Sequence, residues 1–318
     1  MHNEVKKIVF MGTPDFAVAS LERIVEAGFN ITAVVTAPDK PAGRGMQLTE
    51  SAVKRYAVSK GLKVLQPVKL KSDEFINELR SLKADIQVVV AFRILPEVVW
   101  SMPPMGTINL HGSLLPQYRG AAPINWALIN GETVTGVTTF KLKHEIDTGN
   151  ILLQEKINIG EDETAGELHD RMKEVGGNLI VKTLKGLFDG NLEEVSQENT
   201  QSATEPTLLK YAPKLFTDNY KIDWHKNVDE IYNLIRGLSP YPGAFTILKD
   251  KTLKIYKADK VYTSPSVAFG EYETDGKSYL KFSCEGGYIS LKELQLEGKK
   301  RMSVEQFLRG WRAGGKVK

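Results

Sequence analysis

Hydrophobic and polar positions in the first half of the chain switch repeatedly between strand and helix periods. Lys7–Met11 (KIVFM) reads as a buried strand, and Thr13-Pro14-Asp15 then supplies a cap, a proline for the first helical position and an acid for the first turn. Val18, Leu21, Ile24 and Val25 follow at helical spacing up to Gly28, a natural stop. Ile31–Thr36 is the next strand. A helix over about 51–61, a short strand near Val64, a helix over Ser72–Lys83 and an apolar strand over Ile86–Ala91 come after it. Thr107–Leu110 predicts another strand, with a helix over about 121–130. Strands at Val134–Lys141 and Ile151–Ile159 flank a loop at 143–150, and Thr164 with Glu167 forms a capping box for a long helix to Phe188. This alternation predicts a doubly wound, Rossmann-like α/β domain over 1–189, whose ligands sit beyond the carboxyl ends of its strands.

The pattern then changes. Residues 190–207 are polar and read as an interdomain linker. Over 208–318, a short helix at Val228–Gly237 precedes short alternating strands at Phe245–Leu248, Leu253–Val261, Tyr279–Phe282 and Tyr288–Gln295, which predict a small OB-like β-barrel domain.

Composition narrows the class. A length of 318 residues suits two moderate domains, and 42% hydrophobic with 25% charged residues is ordinary for a globular protein. No apolar run approaches the roughly 20 residues of a membrane helix. Lys6 and Lys7 are not followed by a secretion-signal pattern. The single cysteine, Cys284, cannot form an internal disulfide, so a reducing cytoplasm is expected, with the thiol buried as a small hydrophobe. Net charge is +3, and the last 21 residues hold seven basic side chains against one Glu. Such an end could contact a polyanion; on charge alone a solubilising tail is the plainer reading.

Candidate chemistry begins with an exclusion. Met11-Gly12-Thr13-Pro14 has one glycine where a dinucleotide fingerprint needs three, and a proline where an amide should meet phosphate, so NAD or FAD use is not expected. Asn109 and His111 stand two apart at a strand end and share a face. Asp147 lies in a separate loop that contains Gly149. An amide, an imidazole and a carboxylate from different loops could stabilise an oxyanion and move protons during acyl transfer. No serine or cysteine elbow is present, so the nucleophile would belong to a substrate. Taken singly, a strand-end histidine is usually structural and Asp-Thr-Gly is usually a turn.

The run Asn109-Leu-His111-Gly-Ser113-Leu-Leu-Pro116-Gln-Tyr-Arg119-Gly120-Ala-Ala-Pro123, with Asp147-Thr148-Gly149, resembles the signature of the 10-formyltetrahydrofolate-dependent formyltransferases. Met11 to Ala17, the loop Pro38 to Gly45, Ala212-Pro-Lys214, Ile222-Asp-Trp224, Tyr241 to Ala244 and the closing Gly298 to Met302 narrow the resemblance to the methionyl-tRNA branch, nearly end to end. The resemblance implies that Asn109 and His111 polarise the formyl carbonyl and that Asp147 holds the histidine's charge state and helps remove protons. It implies folate contacts from Ser113, Leu114, Leu115, Pro116, Phe92, Ile94 and Leu95, with the Leu-Leu-Pro as an unstructured apolar lip. Lys40 and Arg44 become candidates for contact with the initiator methionyl-tRNA, from a long loop over 36–49. No metal is implied, and a monomer is expected. The family commonly has Tyr-Gly where this chain has Phe92-Arg93, and Arg93 is expected to point to solvent. His144 is expected to be a loop residue, and Trp224 a core residue. Two rival readings stay open: a formyltransferase for a small amine such as a nucleotide sugar or ribonucleotide, and a non-catalytic RNA-binding module.

Overall fold

The computed structural model describes residues 5–42, 47–200 and 208–311. Its elements begin with β1 (Lys7–Gly12), α1 (Asp15–Glu26), β2 (Asn30–Val35), β3 (Lys40–Ala42), β4 (Gln47–Thr49), α2 (Ala52–Ser59), β5 (Val64–Leu65) and α3 (Asp73–Ser81). Next come β6 (Ile86–Val90), α4 (Glu97–Trp100), β7 (Thr107–His111), β8 (Arg119–Gly120), α5 (Pro123–Ile129), β9 (Val134–Lys141), β10 (Ile151–Asn158) and α6 (Ala165–Phe188). The chain continues through β11 (Tyr211–Ala212), α7 (Val228–Gly237), β12 (Ala244–Leu248), β13 (Lys251–Tyr262), β14 (Tyr272–Thr274), β15 (Leu280–Cys284), β16 (Gly287–Leu296), β17 (Met302–Ser303) and α8 (Val304–Gly310).

The first compact unit runs to Gly120 and adds 136–157 and 169–210. Its sheet has the order β10-β9-β7-β6-β1-β2-β5. β1 is parallel to β2 and β6, β2 to β5 and β6 to β7, while β9 runs antiparallel to β7. β1 and β6 are largely apolar because both of their faces are covered: all of Ile86–Val90 is buried, Gln87 included, as is β1 after Lys7. From β1 the chain steps outward to β2 and β5 and then returns to β6, so the winding reverses between β1 and β6. In such sheets the crevice at this reversal takes the ligand. Gly12 is a packing position, since a Cβ there would lie 2.6 Å from that of Ala17. Pro14 is extended and caps α1 from outside, one residue later than the sequence suggests.

The second unit comprises 121–135, 158–168 and 211–318. Its antiparallel sheet runs β12-β13-β16-β15-β14, with β17 on β16. No pair closes β12 on β14 among the described residues, so the expected barrel is a curled, open half-barrel. Ile231 and Ile235 of α7 and Phe307 of α8 fill its core with Leu253, Phe282 and Ile289. Trp224 stacks on Phe282 at 4.8 Å and donates to Thr246, a core role as expected. Cys284 is wholly buried as expected, and burial pushes its thiol up to about 11. The basic end is not simply a loose tail, because β17 and α8 dock it; residues 312–318 lie outside the described part.

By compactness alone, α5 and residues 158–168 group with the second unit. Within 190–207, Val195 bridges Ile151, and Glu194 pairs with Lys141 at 2.5 Å. Burial alone would raise the Glu194 carboxyl, but hydrogen bonds from Lys141 and Asn150 outweigh it and hold the group below its ordinary range.

Candidate active site

The carboxyl end of β7 carries Asn109 and His111 on one face, with Asn109 opposite Val89 and Phe140 and His111 opposite Thr138. His111 is buried, edge-on to Phe140, while Asn109 is half-buried and its side chain makes no hydrogen bond among the described residues. After His111 the chain turns through the Ser-Leu-Leu-Pro segment, which is ordered by specific bonds. Ser113 Oγ donates to the Gln117 carbonyl at 2.6 Å, and Thr138 Oγ1 donates to that of Ser113 at 2.6 Å. The Leu115 amide donates back to Thr138 Oγ1, and Gln154 donates to the Leu115 carbonyl.

This turn fixes the tautomer of His111. Its Nε2 lies 2.8 Å from the Tyr118 carbonyl oxygen, which can only accept, so Nε2 carries the proton in the neutral ring. The unprotonated Nδ1 then faces Asp147 Oδ2 at 3.8 Å. When Nδ1 takes a proton, that approach becomes an ion pair.

Asp147 is held from several sides. Its φ is +56°, a left-handed conformation that Asp tolerates better than most residues. Oδ2 accepts the Gly120 amide at 2.9 Å. Gly149 leaves no room for a side chain, since a Cβ would stand 1.5 Å from the Lys141 carbonyl oxygen. Gln197, missed in the sequence, donates to the carbonyls of both Asp147 and Gly149 at 2.8 Å, and Arg119 donates to its Oε1. Gln197 is 3% exposed. A polar residue in a polar stretch gave no signal of this.

The remaining candidates divide. Ser113 is fully buried and serves the turn through both its hydroxyl and its carbonyl. Leu114, half-buried, packs over Gly136, and Pro116 is buried. Leu115 is 2% exposed and packs with Phe140 and Ile151, so it fills the core instead of forming an open lip. Leu95 is likewise a core residue, with Phe92 partly buried against the same cluster, whereas Ile94 is 79% exposed. Arg93 does not point to solvent: its guanidinium donates to the carbonyls of Pro67 and Val68. His144 is exposed, as expected of a loop residue.

The described parts of the loop over 36–49, residues 36–42 and 47–49, form more regular structure than expected. β3 pairs with β4 as an antiparallel ribbon, Lys40 opposite Thr49. Asp39 at its base accepts from Lys54 at 2.5 Å and from Gln66 at 2.7 Å, and those bonds hold its carboxyl below the ordinary range. Lys40 is exposed, and Arg44 lies outside the described residues.

Comparison with known proteins decides what this geometry belongs to. Residues 6–184 match the family model described as formyl transferase, and residues 214–312 match formyl transferase, C-terminal domain. The chain is 52% identical to a methionyl-tRNA formyltransferase of Parabacteroides distasonis, covering 98% of both chains. It is 50% identical to that of Flavobacterium johnsoniae, over 96% of both. The chain belongs to the methionyl-tRNA formyltransferase family. Outside that branch, a solved sugar 3N-formyltransferase, WlaRD, described in the presence of dTDP and 5-N-formyl-THF, shares the fold at a TM-score of 0.66. It is 20% identical, over 93% of this chain and 100% of its own. Within the methionyl-tRNA formyltransferase family, then, the chain places its His111–Asp147 pair at a strand end of the matched N-terminal domain.

Proposed function

We infer that the chain transfers the formyl group of 10-formyltetrahydrofolate to the α-amine of methionine on initiator tRNA. The observation that carries the chemistry is the approach of His111 Nδ1 to an Asp147 carboxylate oriented by the Gly120 amide, beside Asn109 on the same strand face. Family membership and curated relatives at about half identity over nearly the whole chain support the substrates. Solved structures that share the fold and whose descriptions name a folate, WlaRD among them, support the co-substrate.

With Nε2 engaged by Tyr118, Nδ1 is the nitrogen available to the reaction. Carrying a proton, it donates with the Asn109 amide to the oxyanion that forms when the amine attacks the formyl carbon. Asp147 offsets the imidazolium charge and, through water, accepts the proton that the amine loses. Collapse breaks the bond from the formyl carbon to folate N10, which takes up one proton as it leaves. Only the uncharged amine attacks, so the rate rises with pH through the substrate amine's own pKa. Leu114, Phe92 and Ile94 are the residues proposed to meet the folate, with the buried Ser113 and Pro116 shaping the turn behind them, and Lys40 and Arg44 are proposed to meet the tRNA. The protein is proposed to act as a cytoplasmic monomer.

The test is direct: purified protein is incubated with Met-tRNA and 10-formyltetrahydrofolate, and formyl-methionine is assayed. Formylation of a small amine with none of Met-tRNA would replace this reading with the sugar-type one.

A further inference from the structure

We propose that Arg93 is a positioning residue for the folate co-substrate, fixing the loop after β6 by gripping two successive carbonyls of a neighbouring segment. The inference rests on the reading that Phe92 and Ile94 meet the folate. Residues 91–96 leave β6 where the winding of the sheet reverses, so this loop borders the crevice in which such sheets bind ligands. The loop starts under strain, with Ala91 at a φ of +47°. Arg93 Nη1 donates to the Val68 carbonyl at 3.0 Å and Nη2 to that of Pro67 at 2.7 Å, while the guanidinium lies 5.3 Å from the centre of the Phe92 ring. No other side-chain hydrogen bond reaches residues 92–95 among the described residues.

The cost of this arrangement is visible. Arg93 Nε is buried without a partner, and burial lowers the basicity of the guanidinium. A desolvated charge of this kind is tolerated where its remaining donors are well placed. The segment it grips has its own footing, because Gln66 donates to the Ala37 carbonyl and to Asp39 at the ribbon base. On another side the segment borders a cavity of about 590 Å³ lined by Pro67, Val68 and Phe75, so packing alone does not hold it. Arg93 thus ties the folate-facing loop to an anchored support.

Steady-state kinetics of Arg93→Met and Arg93→Lys on the full chain test this. If the untied loop is competent about a tenth of the time, Arg93→Met raises KM for 10-formyltetrahydrofolate about tenfold. The kcat value and KM for Met-tRNA should stay within about twofold of the parent. Arg93→Lys, which reaches one carbonyl but not both, should fall between parent and Arg93→Met. An unchanged folate KM in a folded Arg93→Met, or a parent-like Arg93→Lys should Arg93→Met fail to fold, overturns the proposal. A loss of thermal stability with unchanged folate KM shows a purely structural role and also overturns it. The parent enzyme's formylation of Met-tRNA, measured in the same series, separates failure of this inference from failure of the functional reading.

Discussion

His111 Nδ1 faces Asp147 Oδ2 at 3.8 Å, and that same carboxylate oxygen already accepts the Gly120 amide at 2.9 Å. The carboxylate is therefore aimed by backbone before any substrate arrives, and the Tyr118 carbonyl fixes the imidazole from its other side. Asp147→Asn keeps the shape but removes the charge that a protonated imidazole needs. It should lower kcat by about 10²–10⁴-fold, the usual range for a lost acid–base partner, as should His111→Ala. Tryptophan fluorescence or filter binding should show tRNA affinity within about twofold of the parent for both. Equal losses of affinity and turnover would assign these residues to binding.

Gln197 supports the pair from behind. Its amide holds the carbonyls of Asp147 and Gly149, and its oxygen takes both donors from Arg119. Gln197→Leu strands two carbonyls and a guanidinium at a buried position, which should cost about 1–3 kcal/mol of stability in denaturant unfolding. With Asp147 less firmly placed, kcat should drop about tenfold, since a misplacement near 1 Å costs up to about a hundredfold. Parent-like kcat in a destabilised Gln197→Leu would limit this residue to holding the fold.

The ribbon β3–β4 presents Lys40 to solvent from a base locked by Asp39, Lys54 and Gln66. A cation there that contacts phosphate should reveal itself through salt. Lys40→Ala and Arg44→Ala should each raise KM for Met-tRNA and reduce the slope of log affinity against log salt by about one. Their folate KM should not move. An unchanged slope in both would remove the ribbon from the tRNA interface.

How much of this was legible depended on where each residue's partners lie. Strands such as β6 could be read because burial on both faces leaves a near-continuous apolar signature, interrupted in Ile86–Val90 only by Gln87. Asn109 and His111 could be placed together because a strand end has a fixed side-chain period. The convergence of Asp147 could not be read from spacing, since it depends on Gly120, Gln197 and a glycine pressed against Lys141. Arg93 was misread because isolated charges usually seek water, whereas here two carbonyls replace it. The ribbon of 40–42 with 47–49 was hidden by Pro41 and by the absence of alternation. Short edge elements such as β14 and β17 carry too few residues to show any period.

The second unit contributes an acid-sensitive contact. Glu273 accepts from Lys281 at 2.8 Å, from Ser266 and from Tyr288, and these bonds hold its carboxyl at about 2. The folded value lies below the ordinary value of 4.5, so the contact stabilises the fold fully above about pH 4.5. That stabilisation is lost as pH falls from there toward about 2. After solvent screening it should amount to about 1–2 kcal/mol. Glu273→Gln cannot ionise, so its unfolding free energy should fall less steeply across the same interval. The difference between parent and Glu273→Gln, followed by circular dichroism in urea from pH 5 downward, isolates this group from other carboxylates that titrate alongside it. A difference that stays constant with pH would mean that Glu273 contributes through neutral hydrogen bonds alone.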